Sequence, residues 1–150
     1  MISLLMPLFI PSPPFNSFQL GPLTIHIYAL TMLSGFAAAF FIGRKRWVAR
    51  GGTAEAFENI VLVAIPCGIV GARIYHVLTH WGDYFGPGHM NPWAIWEGGI
   101  AMFGSLIGGA IGAAIAARVV RARLWAFADC VAPGIAVAQA IGRLGNWFNQ

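Results

Sequence analysis

From Leu23 to Ile42 no residue carries a full charge, and the stretches at about 55–80, 99–120 and 124–149 carry few. A hydrocarbon layer requires roughly 20 apolar residues per spanning helix. It also requires every backbone amide to be satisfied within the segment, which a helix achieves alone. Only 9% of the 150 residues are charged while 58% are hydrophobic. A soluble domain carries about 25% charged residues, so this chain could not cover a water-facing surface. The sequence predicts an all-α, polytopic integral membrane protein of about four transmembrane helices, forming one membrane domain over residues 1–150.

The segments between the spans fill in the organisation. Residues 1–21 include Pro7, Pro11, Pro13 and Pro14, which preclude one long helix, so a surface arm is expected. The arm lacks the basic start of a signal peptide, and no cleavage is expected. The first span stops at Arg44-Lys45-Arg46, followed by Arg50 and Gly51-Gly52. Pro66, Gly68 and Gly71 predict a kink in the second span. Cys67 and Cys130 lie inside apolar stretches and read as small packing residues. Gly104, Gly108 and Gly112 make a small-residue ridge suited to close helix packing. The net charge of +4 does not form a basic tract with polar surface between its members, so no nucleic-acid partner is expected.

Seven of the nine basic residues, Arg44, Lys45, Arg46, Arg50, Arg118, Arg121 and Arg123, fall in the connections after the first and third spans. The N-terminal arm and the loop at 81–97 have none. By the positive-inside rule the basic connections face the cytoplasm, and the N-terminus lies outside it. Trp81, Tyr84, Trp93 and Trp96 flank the outer loop as interfacial aromatics do.

The remaining two, Arg73 and Arg143, stand inside apolar spans, where each costs about 2.5–3.5 kcal/mol at mid-helix unless compensated. Both lie about eighteen residues along a helix travelling outward, so both are expected near the outer leaflet. Arg73, His76 and His80 share one helical face, and Gln139, Arg143 and Asn146 share another. His26 and Tyr28 are at comparable depth on the first span. Two cations in the outer half of the bundle need an anion. Asp83 and Glu97 are the nearest acids; otherwise a membrane-lipid phosphate fits a pair of guanidinium groups. The plainer readings are arginines capping helix ends or snorkelling, and His76 and Asn146 as hydrogen-bonding interior residues. A small anion channel or carrier would need a polar track through the bilayer, whereas the inner halves of the spans are nearly all apolar. A non-catalytic lipid-binding subunit would not depend on the arginines.

The segment Gly142-Arg143-Leu144-Gly145-Asn146-Trp147-Phe148-Asn149 resembles the signature of the prolipoprotein diacylglyceryl transferase family. Leu20-Gly21-Pro22 leading to Tyr28, Gly71-Ala72-Arg73, Trp96-Glu97-Gly98-Gly99, and Asp129 with Pro133 follow the family pattern in order. The resemblance implies a multi-pass protein of the bacterial cytoplasmic (inner) membrane whose site faces the outer leaflet. It implies transfer of the diacylglyceryl group from phosphatidylglycerol to the lipobox cysteine thiol of a prolipoprotein, the first step of lipoprotein maturation.

That chemistry is attack of sulfur on a saturated carbon with phosphate leaving, which needs a thiolate and a cationic cradle but no metal or other cofactor. The expected catalytic residues are Arg143, Asn146 and His76. Arg73, Arg143, Tyr28, Gly142 and Gly145 are expected to bind the phosphatidylglycerol phosphate. Phe103 stands where many family members have a histidine proposed as base, so that role passes to His76, to His26 or to no side chain. The family is nearly twice as long, so the chain is expected to be its N-terminal half, without the later helices.

Overall fold

The computed structural model describes residues 17–20, 23–86, 91–94, 98–99 and 101–148. Strands β1 (Ser17–Leu20) and β2 (Leu23–His26) form an antiparallel hairpin, with Ser17 opposite His26 and Leu20 opposite Leu23. Among the described residues five helices follow: α1 (Ile27–Ala49), α2 (Ala54–Thr79), α3 (Trp81–Phe85), α4 (Met102–Val119) and α5 (Leu124–Phe148). The sequence predicts a surface arm over residues 1–21 and a first span from about Leu23; the described residues there form the hairpin, and α1 begins at Ile27. Most of that arm, residues 1–16 and 21, lies outside the described residues. Apart from the hairpin the fold is all-α. Helices α1, α2, α4 and α5 are each long and apolar enough to cross a membrane. The protein is a multi-pass membrane protein.

The helix ends follow local chemistry. Helix α1 runs through Arg44–Arg46 instead of stopping before them, because its basic side chains need only reach the interface at its end. It closes at Gly51, whose φ of 87° takes the left-handed conformation that glycine adopts without cost. Thr53 then caps α2, its side chain accepting from Ala56 N–H at 3.3 Å, with Glu55 in the first turn. Helix α4 begins at Met102, three residues later than the apolar run, because Gly98 and Gly99 have φ of 93° and 77° and cannot be helical.

The chain divides into two compact units, Arg44–Asp129 and Met1–Gly43 with Cys130–Gln150. In the unit 44–129, α2 and α4 pack through glycines. A Cβ on Gly71 would lie 2.5 Å from the Gly104 carbonyl and 2.8 Å from the Gly108 Cα. Between lipid-soluble helices the gain comes from close van der Waals approach, and small residues permit it. Near the α1–α2 turn, Phe57 is fully buried, with Phe127 5.4 Å away between ring centres. Trp47 stacks edgewise on Phe127 and donates its indole N–H to the Thr53 carbonyl at 3.0 Å. The Arg44–Glu58 ion pair, at 2.8 Å, is about half exposed and contributes little.

In the other unit, glycines again set the approach of two helices. A Cβ on Gly35 would stand 3.2 Å from the Ala138 carbonyl, and one on Gly134 2.7 Å from that of Ala39. Gly142 faces the Met32 sulfur, and Gly145 faces Thr31 and Tyr28. These pairs run in opposite directions along the two helices, so α1 and α5 are antiparallel neighbours.

Candidate functional site

Arg73 is 6% exposed, and the C-terminal third of α2 carries it into a pocket of backbone. Its Nε donates to the Pro92 carbonyl at 2.8 Å. One terminal nitrogen donates to Gly98 at 2.7 Å and to Gly99 at 3.3 Å, and the other to Asn91 at 2.9 Å. The guanidinium carbon sits 5.2 Å from the centre of the Tyr84 ring, a cation–π contact with a residue only 3% exposed. All three guanidinium nitrogens are thus engaged by neutral acceptors. The expected partners were a carboxylate or a lipid phosphate; the observed hydrogen bonds go to the carbonyls of Asn91, Pro92, Gly98 and Gly99. Hydrogen bonds to a charged group stabilise by about 1.5–3 kcal/mol each, enough together to offset burial of the charge.

The receiving loop is shaped for this. Asn91 Oδ1 accepts from Trp93 N–H at 2.9 Å, and the Asn91 carbonyl accepts from Ala94 N–H at 3.1 Å, closing a tight turn. Ala101 N–H donates to the Ala72 carbonyl at 3.3 Å, joining the end of the loop to α2. A Cβ on Gly99 would lie 2.6 Å from the His76 ring and 2.8 Å from an Arg73 nitrogen. Glycine at 99 is therefore required by both space and backbone conformation. His76 is half-buried, stacked on His80 at 4.2 Å and edge-on to Tyr84 at 6.0 Å. Arg73, His76, Tyr84 and Gly99 form one packed cluster. Phe103 is exposed, its ring 6.5 Å from that of Tyr75.

The second group of candidate residues lies in the other unit, on α5 and α1. Gly142 and Gly145 are three residues apart and turn toward α1, Gly145 against the Thr31 side chain and 3.3 Å (from its Cβ position) to the Tyr28 ring. Gln139, Arg143 and Asn146 are exposed on the adjoining stripe. The glycines of the segment pack α5 on Thr31 and Tyr28 of α1, and Arg143 and Asn146 are exposed beside that contact. His26, closing β2, is exposed. Asn149 lies outside the described residues, as do Ile95, Trp96 and Glu97.

Sequence analysis singled out Arg73 and His76 without their surroundings. It considered acids and ligands as partners of Arg73, and the backbone carbonyls are an addition to that expectation. Asn91-Pro92 and Gly98-Gly99 are turn signals, and they are where those carbonyls come from. The role of Tyr84 had no sequence signal beyond interfacial placement. Thr31 was missed because a threonine within a helix is ordinary until its neighbour is seen.

Comparison with known proteins identifies relatives of this chain. The family model for prolipoprotein diacylglyceryl transferase matches residues 16–150. A phosphatidylglycerol–prolipoprotein diacylglyceryl transferase of Mycobacteroides abscessus is 50% identical over 145 residues, covering 95% of this chain and 42% of that protein. Those of Paenarthrobacter aurescens and Cutibacterium acnes are 49% and 48% identical, again over 95% of this chain, and 45% and 49% of their own lengths. The chain therefore spans somewhat under half the length of the curated relatives it matches. The glycine-spaced α5 signature, the tyrosine it packs against and a match along nearly the whole sequence place the chain in the prolipoprotein diacylglyceryl transferase family.

Proposed function

We propose that this chain is part of a transferase of the bacterial cytoplasmic membrane that moves the diacylglyceryl group of phosphatidylglycerol onto the lipobox cysteine thiol of a prolipoprotein. The observation that carries the reading is the signature stripe of α5. Arg143 and Asn146 are exposed beside the contact of Gly145 with Tyr28, in a chain whose relatives at about half identity bear that name. The basic residues of the two connections, against none in the described part of the 81–97 loop, support a cytoplasmic location for the connections. They support an N-terminus outside and a site at the outer leaflet.

In this reaction the thiolate sulfur attacks a glycerol carbon of the lipid. A C–S bond forms, the C–O bond to phosphate breaks, and glycerol 1-phosphate departs. Arg143 offers two parallel donors to the phosphate, whose charge grows as the bond breaks, so its contribution rises toward the transition state. Asn146, one turn on, donates to the phosphate or the glycerol head. Gly142 and Gly145, packed on α1, seat Tyr28 beside Arg143 and Asn146, and the lipid head lies against that ring. His76 accepts the thiol proton.

The complete gene product, reconstituted with phosphatidylglycerol and a lipobox peptide, should add one diacylglyceryl group to the peptide by mass. Arg143→Ala should lose most of that transfer while still inserting, and Arg143→Lys should recover only part, since a point charge lacks the planar fork. Near wild-type transfer by Arg143→Ala would remove Arg143 from the site.

A further inference from the structure

We propose that Arg73 is a positioning residue that acts through the backbone carbonyls of Asn91, Pro92, Gly98 and Gly99: it holds those residues on the C-terminal end of α2, so that Gly99 fixes the ring of His76. The inference rests on the proposed transferase reading for its kinetic consequence, but its structural part stands without it.

Four carbonyls converge on one guanidinium from both ends of the segment, Asn91 and Pro92 at one side and Gly98 and Gly99 at the other. A single side chain therefore determines where both ends sit. A lysine has three donors on one atom and cannot reach acceptors spread around a planar fork. The Tyr84 ring closes one face of the guanidinium, which restricts its approach to the plane of the carbonyls. Gly99 is shared. A Cβ there would meet both the Arg73 nitrogen and the His76 ring, so glycine lets the two approach it and its displacement frees His76 to rotate. Two residues beyond Gly99, Ala101 N–H is bonded to Ala72, the neighbour of Arg73, and Met102 opens α4. The start of α4 is tied to the same anchor. A phosphate ligand would be expected to turn most of its donors toward the lipid; here four hydrogen bonds from the guanidinium go to the chain's own backbone.

The test uses the complete gene product in lipid nanodiscs, comparing wild type with Arg73→Lys by hydrogen–deuterium exchange and by transfer kinetics. Exchange in the peptide covering 91–101 should speed up at least tenfold, with the α5 peptide 124–148 unchanged. Transfer should lose tenfold or more in kcat, with KM for phosphatidylglycerol within twofold of wild type. The pH profile should match that of His76→Gln. A raised KM at constant kcat would make Arg73 a lipid ligand and overturn the proposal, as would unchanged exchange at 91–101. Should Arg73→Lys also loosen α5, the α5 peptide serves as the reference: exchange at 91–101 should rise at least tenfold more than at 124–148, and an equal rise would overturn the proposal. If wild type itself transfers nothing, the transferase reading fails while the exchange comparison still decides whether Arg73 anchors the segment.

Discussion

Gly145 and Thr31 occupy one another's space: a Cβ at 145 would collide with the Thr31 hydroxyl, which donates to the Tyr28 carbonyl at 2.8 Å. The obstruction is a side-chain oxygen and not backbone, so it is removable. Gly145→Ala should destabilise the protein by about 1–3 kcal/mol, the usual cost of overpacking. Thr31→Ala leaves the next atoms, Thr31 Cβ and the Tyr28 ring, 3.2 and 3.3 Å away, so the double variant should regain most of the loss. Thermal unfolding of the four members of this cycle in detergent measures the coupling. Additive losses would mean that α5 does not pack on α1 at Thr31.

The α2–α4 contact should show no such rescue. At Gly71 the obstructing atoms are the Gly104 carbonyl at 2.5 Å and Gly108 backbone at 2.8 Å, so Gly71→Ala must part the helices. Little folded protein should accumulate. Gly109→Ala, whose Cβ would meet nothing closer than 3.7 Å, should be tolerated and gain up to about 1 kcal/mol in helix propensity. Fluorescence-detected gel filtration of tagged variants separates the two outcomes. Equal behaviour of both would contradict the close pairing of these helices.

The four spans were legible because bilayer thickness and hydropathy allow few other solutions. The hairpin before α1 was not. Residues 17–26 alternate weakly and sit beside a long apolar run, so the run's helical reading absorbed its first four residues. The delayed start of α4 was hidden for a related reason. Gly98-Gly99 reads as apolar in hydropathy but is left-handed in backbone, and hydropathy contains no φ. Arg73 shows the limit most clearly. Charge and burial were readable, and the demand for compensation followed. The compensating groups are carbonyls, which every residue possesses, so only the fold of the 91–99 loop reveals them.

Orientation is open to a direct check. Gly82 has open space around it, and Arg123 is exposed between α4 and α5, so cysteines are accommodated at both. In intact cells a membrane-impermeant thiol reagent should label Gly82→Cys and spare Arg123→Cys until the membrane is permeabilised. Cys130 is buried and Cys67 is partly so, and wild type supplies their background. The reverse pattern would invert the topology and put the α5 stripe in the other leaflet.

His76 supplies the last prediction, and pH provides its signature. A neutral imidazole has one ring nitrogen that accepts a proton, and a base role needs that nitrogen. A free thiol titrates near 8.5, so without a base only a few per cent is thiolate at pH 7. His76→Gln keeps the size and hydrogen bonding of the side chain but lacks the basic nitrogen. If His76 is the base, transfer by the variant should fall about 10²-fold or more at pH 7. Its rate should then climb about tenfold per pH unit below 8.5, following the thiolate, while wild type changes little. The gap between the two enzymes should narrow steadily as pH rises. Because the His76 ring also packs on Gly99 and His80, a purely structural role is the competing account. It predicts one constant factor between variant and wild type at every pH. A constant factor would remove His76 as base and leave the positive field of Arg143 to favour the thiolate.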